Sequence, residues 1–294
     1  MTKDPIAPSE LIINSDGSAF HLHLLPSQLS QKVILVGDPG RVALVAGHFE
    51  NIECDVTNRE FRTITGYYKG KRVTCLSTGI GCDNIDIVLN EIDALANVDF
   101  VTRKVKEETV SLDIVRVGTT GGLQIEAPVG SFVISQISVG FDGVLDFYKG
   151  NESVSDLELE KALTKHLGWD KNIRMRHLYA VPDDKDLVDR IARDDMLRGI
   201  TVSANGFYGP QGRSIRLPLS DPDQNLKLES FRYGDLNITN FEMEGSALAG
   251  LSRLMGHHAA TVCLVLANRH FKEADPGVYS IRMDELIQKV LDRI

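Results

Sequence analysis

The chain reads as a three-layer α/β/α protein built around a mixed, mostly parallel sheet. Three observations predict this class. Short β-branched runs alternate with helical patterns, and those runs tend to end in glycine-bearing turns. No repeat, low-complexity tract or Pro/Gly/Ser linker divides the 294 residues. One domain is therefore expected over residues 1–294, with 1–19 as an N-terminal extension. Residues 100–111, rich in Lys and Glu, read as an exposed insertion.

Val33-Ile34-Leu35-Val36 predicts a buried strand, followed by Gly37-Asp38-Pro39-Gly40 and a helix to about His48. Phe61 to Tyr68 and Val73 to Ser77 predict a hairpin turning at Lys69-Gly70-Lys71. Thr78-Gly79-Ile80-Gly81 leads into a helix from about Asp83 to Ala96. There Ile85, Val88, Leu89 and Ile92 keep helical spacing, and Asp83 is the expected N-cap. Ile114 to Val117 predicts a strand ending in a Gly118-Thr119-Thr120-Gly121-Gly122 turn, and Phe132 to Ile137 another strand. Helical patterns cover Asp156 to His166, Asp184 to Leu197 and Met243 to Met255, the last stopped by Gly256. Ala259 to Leu266 is the last strong strand and Asp284 to Ile294 a closing helix.

Composition narrows the function. Thirty-two Lys and Arg against 41 Asp and Glu leave a net charge of -9, the wrong sign for a general nucleic-acid or anionic-membrane partner. The polar start of the chain lacks a signal-peptide pattern, and no apolar run reaches the ~18 residues of a spanning helix. Cys54, Cys75, Cys82 and Cys263 show no CxxC spacing. A reduced, cytoplasmic enzyme is the expectation. The eight histidines are scattered without metal-ligand spacing, and GxxxxGK[ST] is absent, so neither a metal nor a nucleotide cofactor is expected.

Two segments offer anion chemistry. Gly37-Asp38-Pro39-Gly40-Arg41 places backbone N–H groups and a guanidinium where a strand meets a helix, although a plain type I turn explains the same residues. Arg116 lies within an apolar strand, where a charge needs either a carboxylate or a bound anion. Glu242 and Glu244 precede a helix and would complement its dipole.

Taken together, eight segments resemble the nucleoside phosphorylase family, and its uridine phosphorylase branch in particular. They are Phe20-His21-Leu22, Gly37 to Arg41, Asn58-Arg59-Glu60-Phe61, Ser77 to Gly81, Arg116 to Gly121, Phe207 to Arg213, Phe241-Glu242-Met243-Glu244 and Asn268-Arg269. The resemblance implies phosphorolysis of uridine, with deoxyuridine as a second candidate substrate, to uracil and ribose 1-phosphate in pyrimidine salvage or catabolism. Inorganic phosphate would be a co-substrate bound by Gly37, Arg41, Arg116 and Thr119, with Arg59 arriving from a neighbouring protomer. His21 would likewise reach a neighbour's ribose, which Met243 and Glu244 would hold. Phe207, Gln211, Arg213 and Arg269 would bind the uracil. A homo-oligomer, at least a dimer with shared sites, follows from the same resemblance. Arg116, Thr119, Glu244 and Arg269 would carry the catalysis.

Such chemistry requires little proton transfer. Cleavage makes the ribose cationic and the departing base anionic, so preorganised charge at both ends is the main requirement. Cys82-Asp83-Asn84 replaces a small-residue run found in bacterial relatives, which places a potassium site near Glu60, Ile80 and Asn84 in question. A water-using nucleosidase, a purine nucleoside phosphorylase of the same fold, and a non-catalytic nucleoside-binding protein are the alternatives. Retention of Arg41, Arg59 and Arg116 argues against the nucleosidase. The intact set from His21 to Arg269 argues against the binding protein, since a retired site has no reason to keep buried charges. Arg269, which cannot donate a proton to a purine N7, argues against the purine enzyme.

Overall fold

The computed structural model describes residues 4–171 and 177–294; residues 1–3 of the N-terminal extension lie outside them. Lys32–Val36 pairs in parallel with Lys71–Ser77 on one side and with Asp113–Gly122 on the other. Asp113–Gly122 continues in parallel to His258–Asn268, which meets Phe132–Gly140 antiparallel. Phe132–Gly140, Leu197–Ser203 and Leu236–Glu242 then run parallel. The hairpin strands Ile52–Asn58 and Phe61–Tyr68 extend the far margin antiparallel. The sheet is mixed, as expected.

Leu236–Glu242 also pairs with the end of Asp113–Gly122, Phe241 opposite Gly121 and Asn240 opposite Gly122. That second pairing closes five strands into a ring, whose rim gathers residues distant in sequence. Helices cover both faces. Pro39–Ala46, Lys185–Ala192 and Val278–Arg293 bury Val42, Leu187, Leu286 and Val290 on one side. Cys82–Asn97 and Gly245–Met255 bury Ile85, Leu89, Leu248 and Leu251 on the other. Burying one such side chain stabilises by about 1.5–3 kcal/mol, which fixes each helix by its apolar stripe.

Three local expectations are corrected. Gly118 to Gly122 is not a turn; the strand runs unbroken from Asp113 to Gly122 because His258–Asn268 continues to pair with it. The cap of Cys82–Asn97 is Gly81, at φ 102°, rather than Asp83, which occupies the first turn. Apart from two-residue strands, four strands were not anticipated: Ile52–Asn58, Tyr179–Pro182, Leu197–Ser203 and Leu236–Glu242. Of the 100–111 segment, residues 101–102 and 104–111 are exposed. Arg103 instead turns inward, its Nε donating to Ile6 O at 2.8 Å and so tying the N-terminal extension down.

Candidate active site

A cavity of about 370 Å³ opens at the ring's rim, between Asp113–Gly122, the 207–213 turn and the start of Gly245–Met255. Its charged floor is Arg116. The side chain is 4% exposed and bridges two carboxylates: Nη1 lies 3.1 Å from Glu242 Oε2, and Nη2 contacts Glu244 Oε2. Burial opposes the guanidinium's charge, but Glu244 and Glu242 more than offset it and hold its pKa above the ordinary value. The sequence left Arg116 a choice of carboxylate or anion; the fold supplies two carboxylates.

Both glutamates are themselves fixed. Glu242 accepts from the backbone N–H of Glu244 at 2.9 Å and from Gly245 at 2.9 and 3.0 Å, so it caps the helix as well as pairing with Arg116. The Ser203 hydroxyl donates to it too. Glu244 Oε1 accepts from Gly81 N–H at 2.7 Å. Burial raises the Glu244 pKa, Arg116 lowers it, Glu242 raises it again, and the net direction is upward.

Arg41 joins this end of the cavity from the first turn of Pro39–Ala46. The Asp38 carboxylate accepts from Arg41 N–H at 2.9 Å and faces its guanidinium at 3.2 Å. Arg41 donates further to Val117 O and to the Tyr279 hydroxyl. Gly37, Thr119 and Met243 line the same space. Gly118 explains how Arg116 fits: a Cβ there would collide with Arg116 Nη1 and stand 2.9 Å from Cys263 Sγ.

The opposite end is built by the 207–213 turn. Arg213 lies over the Phe207 ring, 3.8 Å from its centroid, and donates to Phe207 O at 2.6 Å and Gln211 Oε1 at 2.5 Å. Gln211 is 3% exposed whereas Phe207 is 50% exposed. Burial and the neighbouring Arg269 push the Arg213 pKa down to about 10. Arg269 departs from expectation. It does not line the cavity but faces an adjoining cleft, donating to the Gln211 carbonyl at 3.2 Å. It remains a near neighbour, since Arg269 Nε and Arg213 Nη2 each come within 3.9 Å of a Cβ built on Gly121.

His21 and Arg59 are not brought into the cavity of their own chain. His21 Nδ1 lies 2.6 Å from Glu91, which also accepts the backbone N–H of His21 and Leu22. Arg59 is exposed, at φ 55°, with its guanidinium 5.6 Å from the Phe20 ring centroid. Glu60, Ile80 and Asn84 do meet, around Gly79, where the Ile80 carbonyl already accepts from Asn84 Nδ2 at 3.2 Å. Among the described residues no three His, Cys, Asp or Glu side chains form a metal-binding group. Asp38, Thr120, Phe241 and Glu242 line the cavity without having been singled out as site residues. Glu242 was within reach, as one of two carboxylates at a helix start on a chain that also buries an arginine.

Residues 31–292 match the phosphorylase superfamily. The uridine phosphorylase of Thermococcus kodakarensis is 30% identical over 262 residues, covering 86% of this chain and 79% of that one. The uridine phosphorylase of Treponema pallidum is 32% identical over 260 residues, covering 88% of this chain and 85% of that one. A nucleoside phosphorylase from Trypanosoma brucei, described as showing uridine phosphorylase activity, superposes with a TM-score of 0.84. It is 28% identical, and the match covers 97% of this chain and all of that one. With a match of this extent the chain belongs to the phosphorylase superfamily.

Proposed function

We propose that this chain cleaves uridine with inorganic phosphate to give uracil and ribose 1-phosphate. The observation that carries the reading is a cavity with a guanidinium at both ends: Arg116 and Arg41 at one, Arg213 beside the Gln211 amide at the other. Phosphate beside Arg41, Arg116, Thr119 and the N–H groups near Gly37 would stabilise the developing ribosyl cation. Glu244 and Met243 would hold the ribose. Arg213, with Arg269 behind it, would stabilise negative charge on the departing uracil. Holding both substrates together also removes much of the entropy cost of their encounter. The reading assigns no cofactor or metal to the chemistry. Free Cys54, Cys75, Cys82 and Cys263 suit a reducing, cytoplasmic setting, and among the described residues no helix is long and apolar enough to cross a membrane.

The active unit in this reading is at least a homodimer, in which His21 and Arg59 serve a neighbour's cavity. Their position outside the cavity of their own chain supports it. Uracil release from uridine, measured with and without phosphate, tests the chemistry. Release only with phosphate is expected; equal release without it would make the protein a nucleosidase, and none in either condition would make it a binding protein. Deoxyuridine and inosine run in parallel decide sugar and base selectivity.

A further inference from the structure

Behind Glu242 lies a fully buried carboxyl that the proposed chemistry does not use. Asp183 follows Tyr179–Pro182 and is 5% exposed. One oxygen accepts from the Ser138 hydroxyl at 2.8 Å; the other, Oδ1, has no hydrogen-bond partner among the described residues. The Thr261 backbone N–H lies against the same carboxyl, and the Thr261 hydroxyl is also buried without a partner. That hydroxyl and Glu242 Oε1 converge on Gly245, at 3.1 and 3.2 Å from a Cβ built there. Thr261 is in turn the strand neighbour of Arg116. Thr261 thus borders Asp183 through its backbone N–H and the Gly245 position, where Glu242 also converges, through its hydroxyl.

The charges around Asp183 are few. Glu242 and Arg253 act on it directly; Arg253 is turned outward and donates to Pro182 O at 3.0 Å. The adjacent Asp184 is occupied with His258 at 2.8 Å. Burial raises the Asp183 pKa well above the carboxylate range, Ser138 opposes the rise, and Glu242 adds to it. An orphaned, buried Oδ1 suits the protonated form, because ionisation would leave a charged oxygen with neither water nor a donor.

The charge count at the phosphate end gives this a consequence. Arg116 with ionised Glu242 and Glu244 already carries one net negative charge, and the incoming substrate is an anion. A further buried charge behind Glu242 would weaken phosphate binding through a low-dielectric interior. We propose that Asp183 is a positioning residue of the phosphate end: its protonated carboxyl stands behind Glu242 and keeps the Arg116 cluster receptive to phosphate. When Asp183 ionises, phosphate affinity falls.

The inference rests on the phosphorolysis reading, and its test keeps the two apart. Phosphate KM, and thermal stabilisation by inorganic phosphate without nucleoside, are measured from neutral to alkaline pH. The wild type should lose affinity by about tenfold along the alkaline limb, as a charge is added near a buried site. Asp183→Asn, neutral at every pH, should lack that loss. Ser138→Ala removes the hydrogen bond that favours the ionised form and should move the limb to higher pH while kcat at neutral pH stays near wild type. A merely structural role would change stability without shifting a limb. If Asp183→Asn does not fold, the Ser138→Ala shift decides alone. A phosphate-binding wild type whose variants keep its limb overturns this inference only. A wild type that neither binds phosphate nor phosphorolyses uridine overturns both.

Discussion

An arginine inside a sheet persists only where its charge is matched and its guanidinium has room. Arg116 obtains the match from Glu242 and Glu244 and the room from Gly118. Removing the cation would strand two buried carboxylates, a loss of about 3–5 kcal/mol. Arg116→Lys is therefore the more informative change, because it keeps the charge and loses the two-pronged geometry. Losing one charge-assisted hydrogen bond of about 1.5–3 kcal/mol predicts a fall in kcat/KM for phosphate of about 10- to 100-fold. Steady-state kinetics check it, with circular dichroism confirming the fold. Gly118→Ala should be as severe without touching a charge, since its methyl group displaces Arg116 Nη1. Activity near wild type in Gly118→Ala would show that the guanidinium is free to move.

The C-terminal helix Val278–Arg293 reaches the site through Tyr279, whose hydroxyl accepts from Arg41 Nε at 3.0 Å. Its far end is clamped by Asp195, which takes Arg293 at 2.6 Å and Lys289 at 2.6 Å. Those hydrogen bonds, Arg293 first, hold the Asp195 carboxyl far below the usual carboxylate range. The unfolded chain binds that proton more readily than the folded one, so the clamp stabilises above the ordinary carboxylate pKa. Its contribution is lost as pH falls toward the depressed folded value. Asp195 is partly exposed, which limits the effect to about 1 kcal/mol or less. Asp195→Asn should lower Tm at neutral pH, with the gap closing in acid. A gap that widens in acid would contradict the clamp. On the opposite side of the site, the 207–213 turn presents Gln211 to the cavity. Gln211→Ala removes the Arg213 partner at 2.5 Å and should raise the uridine KM more than the phosphate KM.

Across the molecule, strand closure and assembly decide whether the site is complete. One chain gathers Arg41, Arg116, Glu244 and Arg213 around the cavity but leaves Arg59 exposed beside Phe20. If Arg59 serves a neighbour, Arg59→Ala and Arg116→Ala protomers should each be inactive yet recover part of the activity when mixed, because some hybrid sites hold both arginines. Arg116→Lys substitutes for the alanine variant if stranded carboxylates prevent folding. Failure of every mixture to recover activity, with mixed oligomers shown by native mass spectrometry, would remove Arg59 from the shared site.

Local physics made much of this legible in the chain. Apolar periodicity marks Cys82–Asn97, Gly256 marks the end of Gly245–Met255, and β-branched runs mark the central strands. An arginine in an apolar run announces a buried charge that must be matched, so Arg116 stood out before any contact was known. The strands that went unseen, Leu197–Ser203 and Leu236–Glu242, carry polar residues such as Thr201, Ser203 and Asn240. Those residues are buried only because neighbours from elsewhere in the chain bond them, as Ser135 and Asn240 do Thr201 at 2.6 and 2.9 Å. The reading of Gly118 to Gly122 as a turn failed for the same reason, since glycines continue a strand where a partner strand holds them extended. Sequence alone therefore determined the layer class, the central helices and which residues carry charge. Tertiary structure decided which carboxylates match Arg116, that Arg269 stands behind Gln211, and that Asp183 lies behind Glu242. Hydrogen bonds and charge pairs between distant segments depend on where strand pairing brings them, and no local pattern encodes that.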